Sequence, residues 1–204
     1  MGDYAISPEI LEAYKEKNLS PIPLKTVSAD EFQSAIRVAK QLNEYGMFVD
    51  KHSVTDYERM KTILTEDETA GVAIEEDGNI VSVFSSGVHR GAIRTLLPVA
   101  IAAGGRKLDN YSSKRLSAMY EMYGFVPVSK VAFDRDYAPD NWNYVRDGEP
   151  DIVFWIHNGD SAPDVIRRLG SYMVNWDYVK EYPTYEEAGA YRDLIYATRY
   201  GSED

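Results

Sequence analysis

Cysteine is absent from the 204 residues. Its absence excludes disulfides, thiolate metal sites and a cysteine nucleophile, so any covalent chemistry must use another side chain. Histidine is scarce. His52, His89 and His157 stand far apart with no metal-ligand spacing, and no metal is expected. Long apolar runs are also missing: no segment approaches the ~20 uninterrupted apolar residues of a membrane span. The first residues, MGDYAISPEILEAYKEKN, lack the basic start and apolar core of a signal peptide. A soluble, cytoplasmic protein with no membrane partner is the expectation. Basic charge is short, with 22 Lys and Arg against 33 Asp and Glu and a net charge of −11. That balance works against a nucleic-acid partner, because affinity for a phosphate backbone comes largely from Lys and Arg displacing counterions. Acids and bases are interspersed, as in ERMKTILTEDE and FDRDYAPD, which reads as a solvated surface rather than nucleic-acid mimicry.

What is present is a globular composition, 44% hydrophobic and 27% charged, long enough for one substantial core. Ser7 before Pro8 is a helix start, and residues 8–17 read as a docking helix. PIPLKTV is an extended, proline-bounded run. Ser28 and Glu31 have capping-box spacing, and Phe32, Ala35, Ile36, Ala39 and Leu42 mark an amphipathic helix over 29–43. Thr55 and Glu58 repeat the capping spacing before Met60, Ile63 and Leu64, which predicts a second, short helix. From Gly71 the period changes to two, and Asp77-Gly78 predicts a type I′ hairpin into NIVSVFSS. The chain then turns through Val88-His89-Arg90-Gly91 into AIRTLLPVAIAAGG, where Pro98 predicts a helix that starts late, after a Thr95 N-cap, or is kinked. RKLDNY reads as a strand, Ser112 as an N-cap, KRLSAMYEMY as a helix, and residues 125–133 and 151–157 as strands. Ser161 with Asp164 and Thr184 with Glu187 start two further helices. The expected fold is α+β, layered α/β/α, with a mixed, mostly antiparallel central sheet flanked by helices. It is expected as one domain with its core over residues 22–158 and a C-terminal helical extension over 159–204.

The order hairpin, glycine turn, helix, strand, helix, ending in AMYEMYGFVPVSKVAF, resembles the GNAT superfamily of N-acetyltransferases. In that family a tyrosine-bearing helix runs into Y-E-K-x-G-F, and Tyr120, Glu121, Gly124 and Phe125 stand in those places before Val126-Pro127-Val128. The resemblance implies two parallel strands splayed apart with acyl-coenzyme A, acetyl-CoA as donor, in the gap. Its pyrophosphate would rest on backbone N–H groups where the next helix starts. A base frees the acceptor amine, the amine attacks the thioester, and the tyrosine protonates the departing thiolate. Tyr120 matches that tyrosine by position, and Val88, Arg90, Gly91, Ala92 and Arg94 fall on the phosphate loop. Three features depart from the family. The loop pattern, Gln or Arg, two residues, Gly, one residue, Gly or Ala, meets Val88 first and Ile93 last, with only Gly91 in place; Pro98 sits where the family has an uninterrupted helix; and only two strands precede the loop unless PIPLKTV supplies an edge strand.

Several residues are candidates for the chemistry. Arg90 and Arg94 can hold phosphates bidentately. His89 is a base candidate because imidazole exchanges protons near neutral pH; Asp109 is another, and Glu75 and Glu76 precede the hairpin tip. Ser85 and Ser86 end the buried strand and can donate to a bound acyl group. The sequence thus predicts an acyl-CoA-dependent N-acyltransferase whose acceptor is a cationic small-molecule or protein amine, with a homodimer allowed. The alternative is a non-catalytic binding module of the same fold, of phage or mobile-element type, with the aromatic C-terminal segment as its contact surface.

Overall fold

The structure is a computed structural model that describes residues 2–201. The chain, expected as one domain, divides into two compact units. The first comprises the chain up to Arg106 together with Asp160–Arg168, and the second comprises Lys107–Gly159 and the chain from Leu169 onward. Each unit has its own sheet, so the single central sheet read from the sequence is two sheets. No helix among the described residues is long and apolar enough to cross a membrane.

The first unit is built on an antiparallel meander, β1 (Gly2–Asp3), β2 (Leu24–Thr26), β3 (Lys61–Thr65), β4 (Ala70–Ile74) and β5 (Ile80–Ser85), in that spatial order. Helix α1 (Pro8–Glu16) starts where Ser7 accepts from the Ile10 N–H. Helix α2 (Ala29–Leu42) starts with the Ser28–Glu31 capping box. Phe32 and Ile36 of α2 pack with Leu64, Ala73 and Phe84 on the sheet, and α4 (Ala92–Ala102) also packs on β4. All five residues of β4 are buried, which accounts for its continuously apolar sequence.

Several local readings are settled by the structure. The second helix is only α3 (Val54–Tyr57), capped by Ser53 with Asp56 rather than by Thr55 with Glu58, and Ile63 and Leu64 belong to strand β3. Of the two alternatives left open for PIPLKTV, the strand holds: it supplies β2, and with β1 and β3 the meander before the glycine turn is longer than two strands. The hairpin turn has positive φ at Gly78 alone, with the Gly78 N–H on the Glu75 carbonyl, so it is a type I turn closed by a glycine bulge rather than type I′. Helix α4 begins at Ala92 with Gly91 as N-cap, so Thr95 lies inside it and Pro98 is an interior residue.

In the second unit the strands are β6 (Lys107–Tyr111), β7 (Phe125–Val131), β8 (Ile152–His157) and β9 (Lys180–Tyr182), in the order β6-β8-β7-β9. Pairing is antiparallel except for β7 with β9, which run parallel with Ser129 opposite Lys180. Helix α5 (Lys114–Met122) joins β6 to β7, capped by Ser113 rather than Ser112. The one-turn helix α6 (Tyr144–Asp147) lies in the β7–β8 connection. Helix α7 (Ala162–Arg167) returns to the first unit and packs on α1, where Arg167 binds Glu16 through two nitrogens at 2.7 and 3.0 Å. Helix α8 (Tyr185–Tyr200) covers β7 and β8. There the Ser129 hydroxyl donates to the Ala188 carbonyl at 2.7 Å, and Gly189 sits so close to the Phe154 ring that a Cβ would come within 3.3 Å.

Candidate active site

Strand β5 is an edge strand of the first sheet, and the chain leaves it through Ser85–Gly91 into α4. Two hydroxyls shape this turn. Ser85 Oγ accepts from the Gly87 N–H at 3.1 Å and Ser86 Oγ from the Val88 N–H at 3.4 Å, so both serines brace the loop. Gly91 lies at φ 88°, a conformation that costs other L-residues about 1–2 kcal/mol. A residue so placed cannot fold a side chain back onto the helix. Seven of the eight described α-helices have a side-chain N-cap, from Ser7, Ser28, Ser53, Ser113, Asn143, Ser161 and Thr184; α4 alone has none.

The donors at this end of α4 are therefore open. Among the described residues, the N–H groups of Arg90, Gly91, Ala92 and Ile93 have no hydrogen-bond partner. Arg90 and Arg94 are exposed, and neither has a carboxylate partner among the described residues, although the chain carries 33 acids. Aligned donors, the positive end of the helix dipole and two unneutralised guanidiniums suit an anion. Val88 is 64% exposed and contributes only backbone. Two broad grooves of this unit lie elsewhere, one at His52, Asp56 and Asp77 and one at Pro8, Glu12 and Arg167; no residue of 85–94 lines either.

His89 is placed beside this turn, but its Nε2 is held by Asp67. Partial burial pushes the Asp67 carboxyl up. The Thr65 and Thr69 hydroxyls, the Thr69 N–H and His89 outweigh that push and bring it to about 2. His89 is thus a latch between the loop and the β3–β4 turn as well as a base candidate. The Thr-x-Asp-x-Thr spacing of residues 65–69 was the sequence signal for this anchor.

A further residue had no such signal. Ser82 interrupts β5 at φ 53°, where β5 has two residues opposite one of β4. A chain of donors secures this bulge: the His52 N–H to the Tyr57 hydroxyl at 3.1 Å, Tyr57 to Ser82 at 2.8 Å, and Ser82 to the Asp50 carbonyl at 3.0 Å. Backbone strain of this sort costs about 1–3 kcal/mol and collects at functional sites.

In the second unit, Tyr120 lies on the buried stripe of α5, its ring against Phe125 and Trp155 at centroid distances of 5.9 and 6.1 Å. The residue is 6% exposed, and its hydroxyl has no hydrogen-bond partner among the described residues. Burial, and after it the Asp109 carboxylate, push the phenol above its ordinary range. Tyr120 therefore holds its proton at neutral pH.

Asp109 is differently placed. Phe154, its partner across the ladder, lies against Tyr185 of α8, whereas Trp155, the next residue along β8, lies against Tyr120; alternation puts Asp109 and Tyr120 on opposite faces of the sheet. The Asp109 carboxylate receives the Tyr185 hydroxyl at 2.9 Å and faces Arg192 at 3.6 Å. Arg192 also binds Asp193 at 3.0 Å, and Asp193 takes the buried Lys107 ammonium at 3.0 Å. These residues form a charge-balanced chain under α8. Asp109 thereby anchors the helix, and the structure does not bring it together with Tyr120 as an acid–base pair. Glu75 is likewise engaged, accepting from the Asn79 amide at 2.8 Å.

Among the described residues, no group of His, Asp and Glu is arranged to hold a metal ion. The residues fit an anion at α4 and a proton donor at Tyr120. Compared with models of protein families, with curated proteins and with solved structures, the chain matches none.

Proposed function

We propose that this chain is an N-acyltransferase of the GNAT type, taking acyl-coenzyme A, with acetyl-CoA the simplest donor, and passing the acyl group to a cationic amine. The reading rests on one observation above the others: the uncapped start of α4, with four free N–H groups and two unpaired arginines directly after edge strand β5. A pyrophosphate fits such a place by charge and by hydrogen bonding. The meander before the turn and the edge position of β5 suit a donor laid along an open strand. In the reaction the ammonium acceptor first loses a proton to water, and the amine nitrogen bonds to the acyl carbon and gives up its second proton to water. The carbon–sulfur bond breaks, and the Tyr120 phenol gives its proton to the leaving thiolate and regains one from solvent. The acidic surface favours a cationic acceptor by steering.

Calorimetric titration with acetyl-coenzyme A tests the donor. Binding at micromolar to millimolar concentration is expected, and absence of heat and of thermal stabilisation at millimolar donor overturns the reading. Tyr120→Phe tests the chemistry. A loss in kcat of about 100-fold with KM unchanged is expected for a removed general acid, with stability held because the hydroxyl has no partner. A specific observation favours the second reading, a donor-binding module without turnover: His89 is tied to Asp67, and Asp109 to Arg192 and Tyr185. Donor binding without acyl transfer to any of a panel of amines, polyamines and lysine peptides identifies that case.

A further inference from the structure

A carbonyl freed by the interior proline of α4 has a partner eighty residues away in sequence. An interior helix residue donates its N–H to the carbonyl four residues earlier, so Pro98 leaves the Arg94 carbonyl without its helical donor, and its ring presses on that carbonyl. The Tyr14 hydroxyl of α1 donates to this same Arg94 carbonyl. Tyr14 is 1% exposed and Pro98 is buried. The next residue is held from the same direction, the Ile22 N–H donating to Thr95 Oγ1 at 2.9 Å. Arg94 belongs to the first turn of α4: its N–H bonds the Gly91 carbonyl at 2.9 Å, and its guanidinium carbon lies 3.9 Å from where a Cβ on Gly91 would stand.

We propose that Tyr14 is a positioning residue for the anion-binding turn, and that Pro98 creates the acceptor through which it acts. The segment from α1 to β2 grips the first turn of α4 from behind and fixes the direction of the free N–H groups of residues 90–93. An unbroken helix would have spent the Arg94 carbonyl on its own ladder and given α1 no polar hold on this turn. The positioning role rests on the donor-binding reading above; the Tyr14–Pro98 pairing does not.

Four proteins test both: the wild type, Tyr14→Phe, Pro98→Ala and the double variant, each studied by denaturant unfolding and by calorimetry with coenzyme A and with inorganic pyrophosphate well below the unfolding midpoint. Tyr14→Phe is expected to weaken both ligands by the same factor, roughly three- to tenfold, the worth of one hydrogen bond. In the Pro98→Ala background, where an N–H returns to the ladder, the same change is expected to cost less than twofold. Stability should show the same non-additivity. Equal Tyr14→Phe effects on stability in the two backgrounds overturn the pairing. Tyr14→Phe that lowers stability but leaves both affinities unchanged overturns the positioning role alone. A wild type that takes neither ligand overturns the donor-binding reading and the positioning role with it, leaving the pairing to be judged on the unfolding data.

Discussion

Helices α4 and α5 each follow an edge strand, α4 after β5 and α5 after β6, and these two junctions are built in opposite ways. At the second, Ser113 covers the Leu116 N–H, and the strand before it is tied by buried charge to α8. At the first, the cap is a left-handed glycine that covers nothing, and nearby arginines go without carboxylates. The junction whose sequence better resembles an acetyltransferase is closed by its own side chains, whereas the one that departs from that resemblance has its donors open. Motif agreement and chemical readiness are therefore separate properties: phosphate recognition by backbone depends on φ and on absent partners, which tolerate Val88 and Ile93 as well as the usual residues.

The largest expected effect lies at the closed junction. Arg192→Met takes from Asp109 and Asp193 the cation they share, and unfolding by denaturant should show a loss of about 3 kcal/mol, near the low end for a broken buried pair because Asp193 is partly exposed and keeps Lys107. At the open junction, Arg90→Ala with Arg94→Ala should lower coenzyme A affinity about tenfold or more while leaving stability within about 0.5 kcal/mol; a matching loss of stability would break the contrast. Ser113→Ala should cost about 1 kcal/mol through its lost cap and leave coenzyme A binding unchanged, which sharpens it. The smallest effect concerns pH. Asp67 is pushed up by partial burial but brought by Thr65, Thr69 and His89 to about 2, below its ordinary 3.8. Its contribution is thus present above about pH 4 and lost as pH falls toward 2. With 41% of the side chain exposed, screening reduces it to below about 1 kcal/mol. Thermal melts across that window should be flatter for Asp67→Asn than for the wild type.

Helix starts were legible because their signal is local: Ser7, Ser28, Ser161 and Thr184 stand where the spacing places them. The Lys61–Thr65 strand was read as helix because Met60, Ile63 and Leu64 fit a helical period, and a short apolar run does not distinguish a strand buried on both faces from a helix turn. Strand β9 has only the polar residues Lys180–Tyr182 and no alternation to read. At the site, Gly91 and Tyr120 were legible from type and position. The roles of Asp109 and Tyr14 were not, because each depends on a partner brought near by folding; Arg192 lies 83 residues from Asp109.

The return of α7 to the first unit governs the order in which the chain can fold. The Val165 and Ile166 side chains complete the first core, and Arg167 fastens α1, yet all three are made after β6, α5, β7 and β8. During synthesis the first unit must wait, its α1 face uncovered, until Arg168 has left the ribosome. A chain cut after Arg106 keeps all five strands of the meander and the glycine turn, but it lacks the last wall of its core.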